Sequence, residues 1–151
     1  MKLSNSTDIS NSTIRAIVRA VRPAGISNFD VTIRNTTRKG CAGRAYTNGS
    51  GYHETADPFL VVRVARTDAL ARSIRQADGG YLPSVWGSRL EALLFVLAHE
   101  LRHMWQAAGQ NPRRGMVYGA RGRFSERDAD AYALQMLRRY RRGEITLDGA
   151  E

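Results

Sequence analysis

The chain has one cysteine, Cys41, in 151 residues. An intrachain disulfide and a cysteine-built structural zinc site are therefore both excluded. Lysine is almost as scarce: two residues stand against 21 arginines. Acidic residues number 14, so the formal charge is +9 and the pI is near 10.6. No apolar run approaches the length of a membrane span, and residues 1–13, MKLSNSTDISNST, lack the apolar centre of a secretory signal. The expectation is a cytoplasmic protein with no membrane partner, its Asn5-Ser6-Thr7 and Asn11-Ser12-Thr13 sequons belonging to a loose polar arm. The arginine excess favours an acidic partner such as nucleic acid. It also fits a solvated basic surface, since no helix-turn-helix, zinc finger or aromatic stacking motif accompanies it. Oligomeric state is left open.

Histidine is rare as well, three in all, yet two of them fall in one short stretch. Residues 88–108, SRLEALLFVLAHELRHMWQAA, contain His99-Glu100-Leu101-Arg102-His103, an HExxH motif. On a helix that spacing sets both imidazoles one turn apart on one face, where they can share a metal ion with Glu100 beside them; zinc suits this geometry. Ser88 and Glu91 form an S-x-x-E capping box, the leucines at 90, 93, 94, 97 and 101 give an apolar face, and Gly109 followed by Pro112 ends the run. The remaining histidine, His53, lies in a loop as a candidate third ligand or substrate contact, though its isolation reads more simply as a surface residue.

The length suits one domain. After an arm over 1–11, residues 12–22 predict an amphipathic helix with Ile14, Ile17, Val18 and Val21 on one side and Arg15, Arg19 and Arg22 on the other, ended by Pro23. Residues 28–34 alternate with period two and predict a strand; 41–47 and 59–65 predict two more, and 67–77 a short helix. The fold class is α+β, with a small, mainly antiparallel sheet packed on the motif helix and a final helix, over residues 12–143, and a tail over 144–151.

A catalytic zinc takes three protein ligands and keeps one position for water. The third is expected from 124–142, FSERDADAYALQMLRRYRR, a helix with Ser125 as N-cap, Gly143 as stop and arginines in its last turns. Glu126, Ala129, Asp130, Ala133 and Leu137 share one face, so small residues let this helix approach the motif helix. Glu126 is assigned as the third ligand and Asp130 as the acceptor for a histidine's other ring N–H. The reverse, Asp130 as ligand, needs a closer helix, and a plainer alternative pairs both acids with Arg102 or Arg127.

The HExxH together with Glu126-x-x-Ala129-Asp130-x-Tyr132-Ala133 resembles the gluzincin metallopeptidases, in particular compact proteins similar to the ImmA/IrrE group. The resemblance covers about a third of the chain. It implies a zincin-like fold with an antiparallel edge strand along the cleft, zinc held by His99, His103 and Glu126, Glu100 as base, and a protein or peptide substrate hydrolysed by a zinc-activated water. His103-Met104-Trp105-Gln106, with Gly43-Arg44-Ala45, also resembles the SprT-like proteases, which carry a third histidine after the motif, where this chain has none, and act on DNA-bound proteins. Tyr118 and Tyr132 are candidate oxyanion donors, with Arg113, Arg114, Arg121 and Arg123 behind them. The Gly- and Arg-rich stretch between the two helices reads as a substrate-covering loop or an ordinary surface loop. The alternative function is a basic nucleic-acid-associated or regulatory protein whose metal site is structural or inactive.

Overall fold

Alternating apolar residues create the sheet, and it is mixed. In a computed structural model, which describes residues 1–37, 41–46, 58–68, 85–110 and 123–147, the strands are β1 (Leu3–Asn5), β2 (Asp30–Thr36), β3 (Cys41–Tyr46) and β4 (Phe59–Ala65). Their spatial order is β1-β2-β4-β3. β1 pairs with β2 and β2 with β4 in parallel, while β3 pairs antiparallel with β4. The expected mainly antiparallel sheet is thus corrected, because β1 returns through a helix and β4 inserts between β2 and β3.

That helix is α1 (Asn11–Val21), started by Ser10, whose side chain accepts the Thr13 N–H. Ile14, Ile17, Val18 and Val21 are buried, and Arg15, Arg19 and Arg22 are exposed. The expected loose arm is also corrected. Leu3–Asn5 form a strand, and the Asn5 amide bonds the Ile9 carbonyl at 2.7 Å while its oxygen accepts from Thr7, shaping the turn into α1. At the other end the tail joins the core through Ile145, which is buried, and Leu147, which packs against it.

One sheet face, carrying Val31, Ile33, Leu60, Val62 and Val64, is buried with the helices. α2 (Arg89–Trp105) lies on β3 and β4 and packs most extensively on α3 (Arg123–Arg141). Ser88 caps α2 by accepting the Glu91 N–H at 3.2 Å. The Glu91 carboxylate returns to the Gly87 N–H at 2.6 Å rather than to that of Ser88. After Trp105, α2 widens into a π-helical turn, Gln106–Gln110, which ends the described run beside Gly109. α3 begins at Arg123, so Ser125 lies inside the helix and is not its N-cap. Its C-terminus stops as expected at Gly143, φ 74°, where the Gly143 and Glu144 N–H groups bond the Tyr140 and Arg139 carbonyls. The helix expected over 67–77 lies mostly outside the described residues. Among the described residues no helix is long and apolar enough to cross a membrane.

Candidate metal centre

The motif spacing does what helical geometry dictates. His99 and His103 lie on one side of α2, both buried, with ring centroids 4.6 Å apart and planes nearly perpendicular. α3 runs antiparallel to α2, and its small residues Ala129 and Ala133, both fully buried, let it approach closely. Glu126 thereby reaches both rings: its Oε2 is 3.3 Å from His99 Nε2 and its Oε1 is 3.1 Å from His103 Nε2. One turn on, Asp130 is 1% exposed, and its Oδ1 is 2.9 Å from His99 Nδ1. The structure therefore brings Glu126 to the ring edges that face each other and Asp130 to the outer edge of His99. Neither acid pairs with Arg102, which binds Asp128 through two hydrogen bonds of 2.7 and 3.0 Å.

Each imidazole has a partner on its Nδ1. For His99 it is the Asp130 carboxylate, and for His103 it is Gln106 Oε1 at 2.9 Å. These acceptors fix a proton on each Nδ1, so that in the neutral rings both Nε2 lone pairs point inward, 3.0 Å apart. Two lone pairs and a carboxylate at that spacing suit a cation between them. The separations of 3.0, 3.1 and 3.3 Å approach the edge of a zinc tetrahedron with bonds near 2.0–2.1 Å, about 3.3 Å. His99, His103 and Glu126 can together hold a metal ion, with ligand atoms all within 4.8 Å of one another. Without an ion the demand falls on protons. Burial lowers the His99 pKa, but Asp130 and Glu126 outweigh it and raise the group to about 10. Hydrogen bonds from His103 and His99 hold the Glu126 carboxyl far below its ordinary range.

Glu100 lies beside this cluster, 7% exposed, between α2 and β3. Burial raises its pKa, while the two histidines and the Ala45 N–H oppose the rise. β3 can lie this close because Gly43 has no side chain. A Cβ there would stand 2.7 Å from Glu100 Cγ and 2.6 Å from Val96 Cγ1. Cys41, on the same strand, has its thiol pKa pushed up by burial and by the charge of Glu100.

Tyr132 is corrected as an oxyanion donor. It follows Glu126 by six residues, which carries it well away from that face of a helix with about 3.6 residues per turn. Its hydroxyl donates to the Val21 carbonyl at 2.6 Å, tying α3 to the end of α1. Tyr118, His53, Arg113, Arg114 and Arg121 lie outside the described residues, as does the side chain of Arg123. Gln106 and Asp128 also join the site, neither with a role assigned from sequence. Gln106 had a signal, since it follows His103 by three residues and so sits on the same helical side. Asp128 had none, because its place depends on how α3 docks. Comparison with protein-family models, with curated proteins and with solved structures found no match, so the resemblance to gluzincins rests on the residues quoted for it.

Proposed function

We propose that the protein is a zinc-dependent metallopeptidase that hydrolyses peptide bonds in a protein substrate. The observation that carries this reading is the convergence of two lone-pair nitrogens and one carboxylate, with a buried glutamate beside them. His99, His103 and Glu126 would hold the ion, and the resemblance of the HExxH and Glu-x-x-Ala-Asp helices to gluzincins adds the activity. Zinc, when bound, supplies a Lewis acid that polarises the substrate carbonyl and brings the pKa of water towards about 7. Glu100 is suited to take the proton of the attacking water and return it to the leaving amine, because burial makes its carboxylate a stronger base than an exposed one. Asp130 and Gln106 orient the rings.

Metal analysis and a peptidase assay on the purified chain test the proposal together. The expected result is one zinc per chain, lost in His99→Ala, His103→Ala and Glu126→Ala. Glu100→Gln should keep the zinc and lose hydrolysis by at least about 100-fold. A chain that takes up no stoichiometric zinc, or hydrolysis that survives Glu100→Gln, overturns it.

A second reading, a basic nucleic-acid-associated protein, is favoured by the other sheet face. Arg34 and Arg63 are exposed and face each other across β2 and β4, and Arg44 projects from the same face of β3. Like charges set side by side repel, and a phosphate backbone would relieve that repulsion. Binding to a single-stranded oligonucleotide should weaken steeply with salt and lose part of that dependence in an Arg34→Ala/Arg63→Ala variant. Absence of measurable affinity near physiological salt removes this reading.

A further inference from the structure

The inward lone pairs exist only while both rings keep their protons on Nδ1. For His99 the question is closed, because the Asp130 carboxylate can only accept. For His103 it is open, because the partner is an amide that can present either an oxygen or an NH2 group. We infer that Arg102 and Asp128 make this choice, so that Gln106 acts as a positioning residue holding His103 with its proton on Nδ1 and its Nε2 lone pair towards the metal.

Each link of the relay is a contact of fixed polarity. Arg102 donates its Nε to Asp128 Oδ2 and its Nη2 to Asp128 Oδ1. The same Oδ2 receives Gln106 Nε2 at 2.9 Å. An amide turned over would set its oxygen against a carboxylate oxygen, two acceptors in contact, so the nitrogen must face Asp128. The amide oxygen then faces His103 Nδ1 at 2.9 Å and can only accept, which requires a proton on Nδ1.

The relay is also held still. Gln106 is fully buried, at the step where α2 becomes a π-helical turn, and its own N–H points to the carbonyls of both Arg102 and His103. The Arg102 guanidinium lies 3.7 Å from the centre of the Trp105 ring and 5.1 Å from that of Tyr132, so it is stacked as well as paired. Arg102, one of the two unspecified residues of the HExxH motif, thereby gains a definite task. The two rings are held by different means, His99 by a charged acceptor and His103 by a neutral one.

This inference rests on the metal site proposed above, and the experiment separates the two. Histidine nitrogen NMR of the metal-free wild type, followed upward in pH until His103 gives up one of its two ring protons, should show that the proton kept is the one on Nδ1, a result that does not depend on zinc uptake. An unprotonated Nδ1 there overturns the inference. Zinc affinity is then measured by chelator competition for the wild type, Gln106→Met and Arg102→Met. Gln106→Met should lower affinity about 10- to 100-fold and free the Nδ1 resonance of His103 from its fixed protonated position, and Arg102→Met should lower affinity by a smaller factor. Unchanged affinity in both variants overturns the inference. A wild type that binds no zinc overturns the metal site instead. If Gln106→Met does not fold, the wild-type spectrum and Arg102→Met decide.

Discussion

Gly43 shows how much a missing side chain can control. It is not strained, and its importance is room: any Cβ would collide with Val96 and with the stem of Glu100. Gly43→Ala should cost about 1–3 kcal/mol of stability, as overpacking in a well-filled interior does. It should also reduce hydrolysis at least tenfold while zinc stays bound, because the strand or the glutamate must move. Chemical denaturation, metal content and turnover measured on one preparation check all three. At this scale the sequence was most informative where chemistry depends on local spacing. His99, Glu100 and His103 declare themselves because four residues make about one helical turn, and Glu126 with Asp130 follow from the same rule on α3. Gly43 and Asp128 depend on which segment lies beside which, and short-range spacing carries no such information. The six-residue offset from Glu126 already turns Tyr132 off that face; where its hydroxyl goes, to Val21, 111 residues away in the chain, is not local information.

At the scale of elements, α2 and α3 form an antiparallel pair fastened near both ends. Close to the metal centre the fastening is Arg102–Asp128; at the far end Arg141 donates to both carboxylate oxygens of Glu91 at 2.9 and 2.7 Å. Arg141 holds the Glu91 pKa below its ordinary value, helped by the Gly87 N–H and opposed by burial. A carboxyl with a depressed folded-state pKa stabilises the fold above its unfolded pKa of about 4.3, and that contribution disappears as pH falls through the folded value. Glu91→Gln should therefore cost about 0.5–1 kcal/mol near neutral pH, and its stability should begin to converge on that of the wild type as pH falls below about 4.3 and meet it only below the depressed folded-state value. A constant difference across that range would show that packing, not charge, is responsible. Ser88, the cap of α2, is legible from its S-x-x-E box next to apolar periodicity, whereas Ser10, the cap of α1, has no such box. Ser125 is also a serine next to apolar periodicity, yet it lies inside a helix that starts two residues earlier, because capping residues also serve in a first turn. The π-helical turn after Trp105 has no sequence mark comparable to a proline.

For the molecule as a whole, the α+β class follows from the order of the periodic segments, but the sheet's direction does not. β1 is three residues, Leu-Ser-Asn, with no alternation to distinguish it from a polar arm. Its parallel pairing with β2 depends on α1 folding back across the sheet, and the parallel pairing of β2 with β4 depends on β3 taking the outer edge. Neither arrangement is encoded within any short stretch. Both matter, because together they set β3 beside the helix that carries Glu100. The two fastenings of α3 extend that dependence across the molecule. Asp128 and Arg141 are 13 residues apart on one helix, about 20 Å. A rod pinned at two such points has no free pivot, so the carboxylate near one pin inherits its aim from the other. Cutting the far pin, where Arg141 also donates to the Val85 carbonyl, would leave the aim of Glu126 to the near pin and to the packing between the helices.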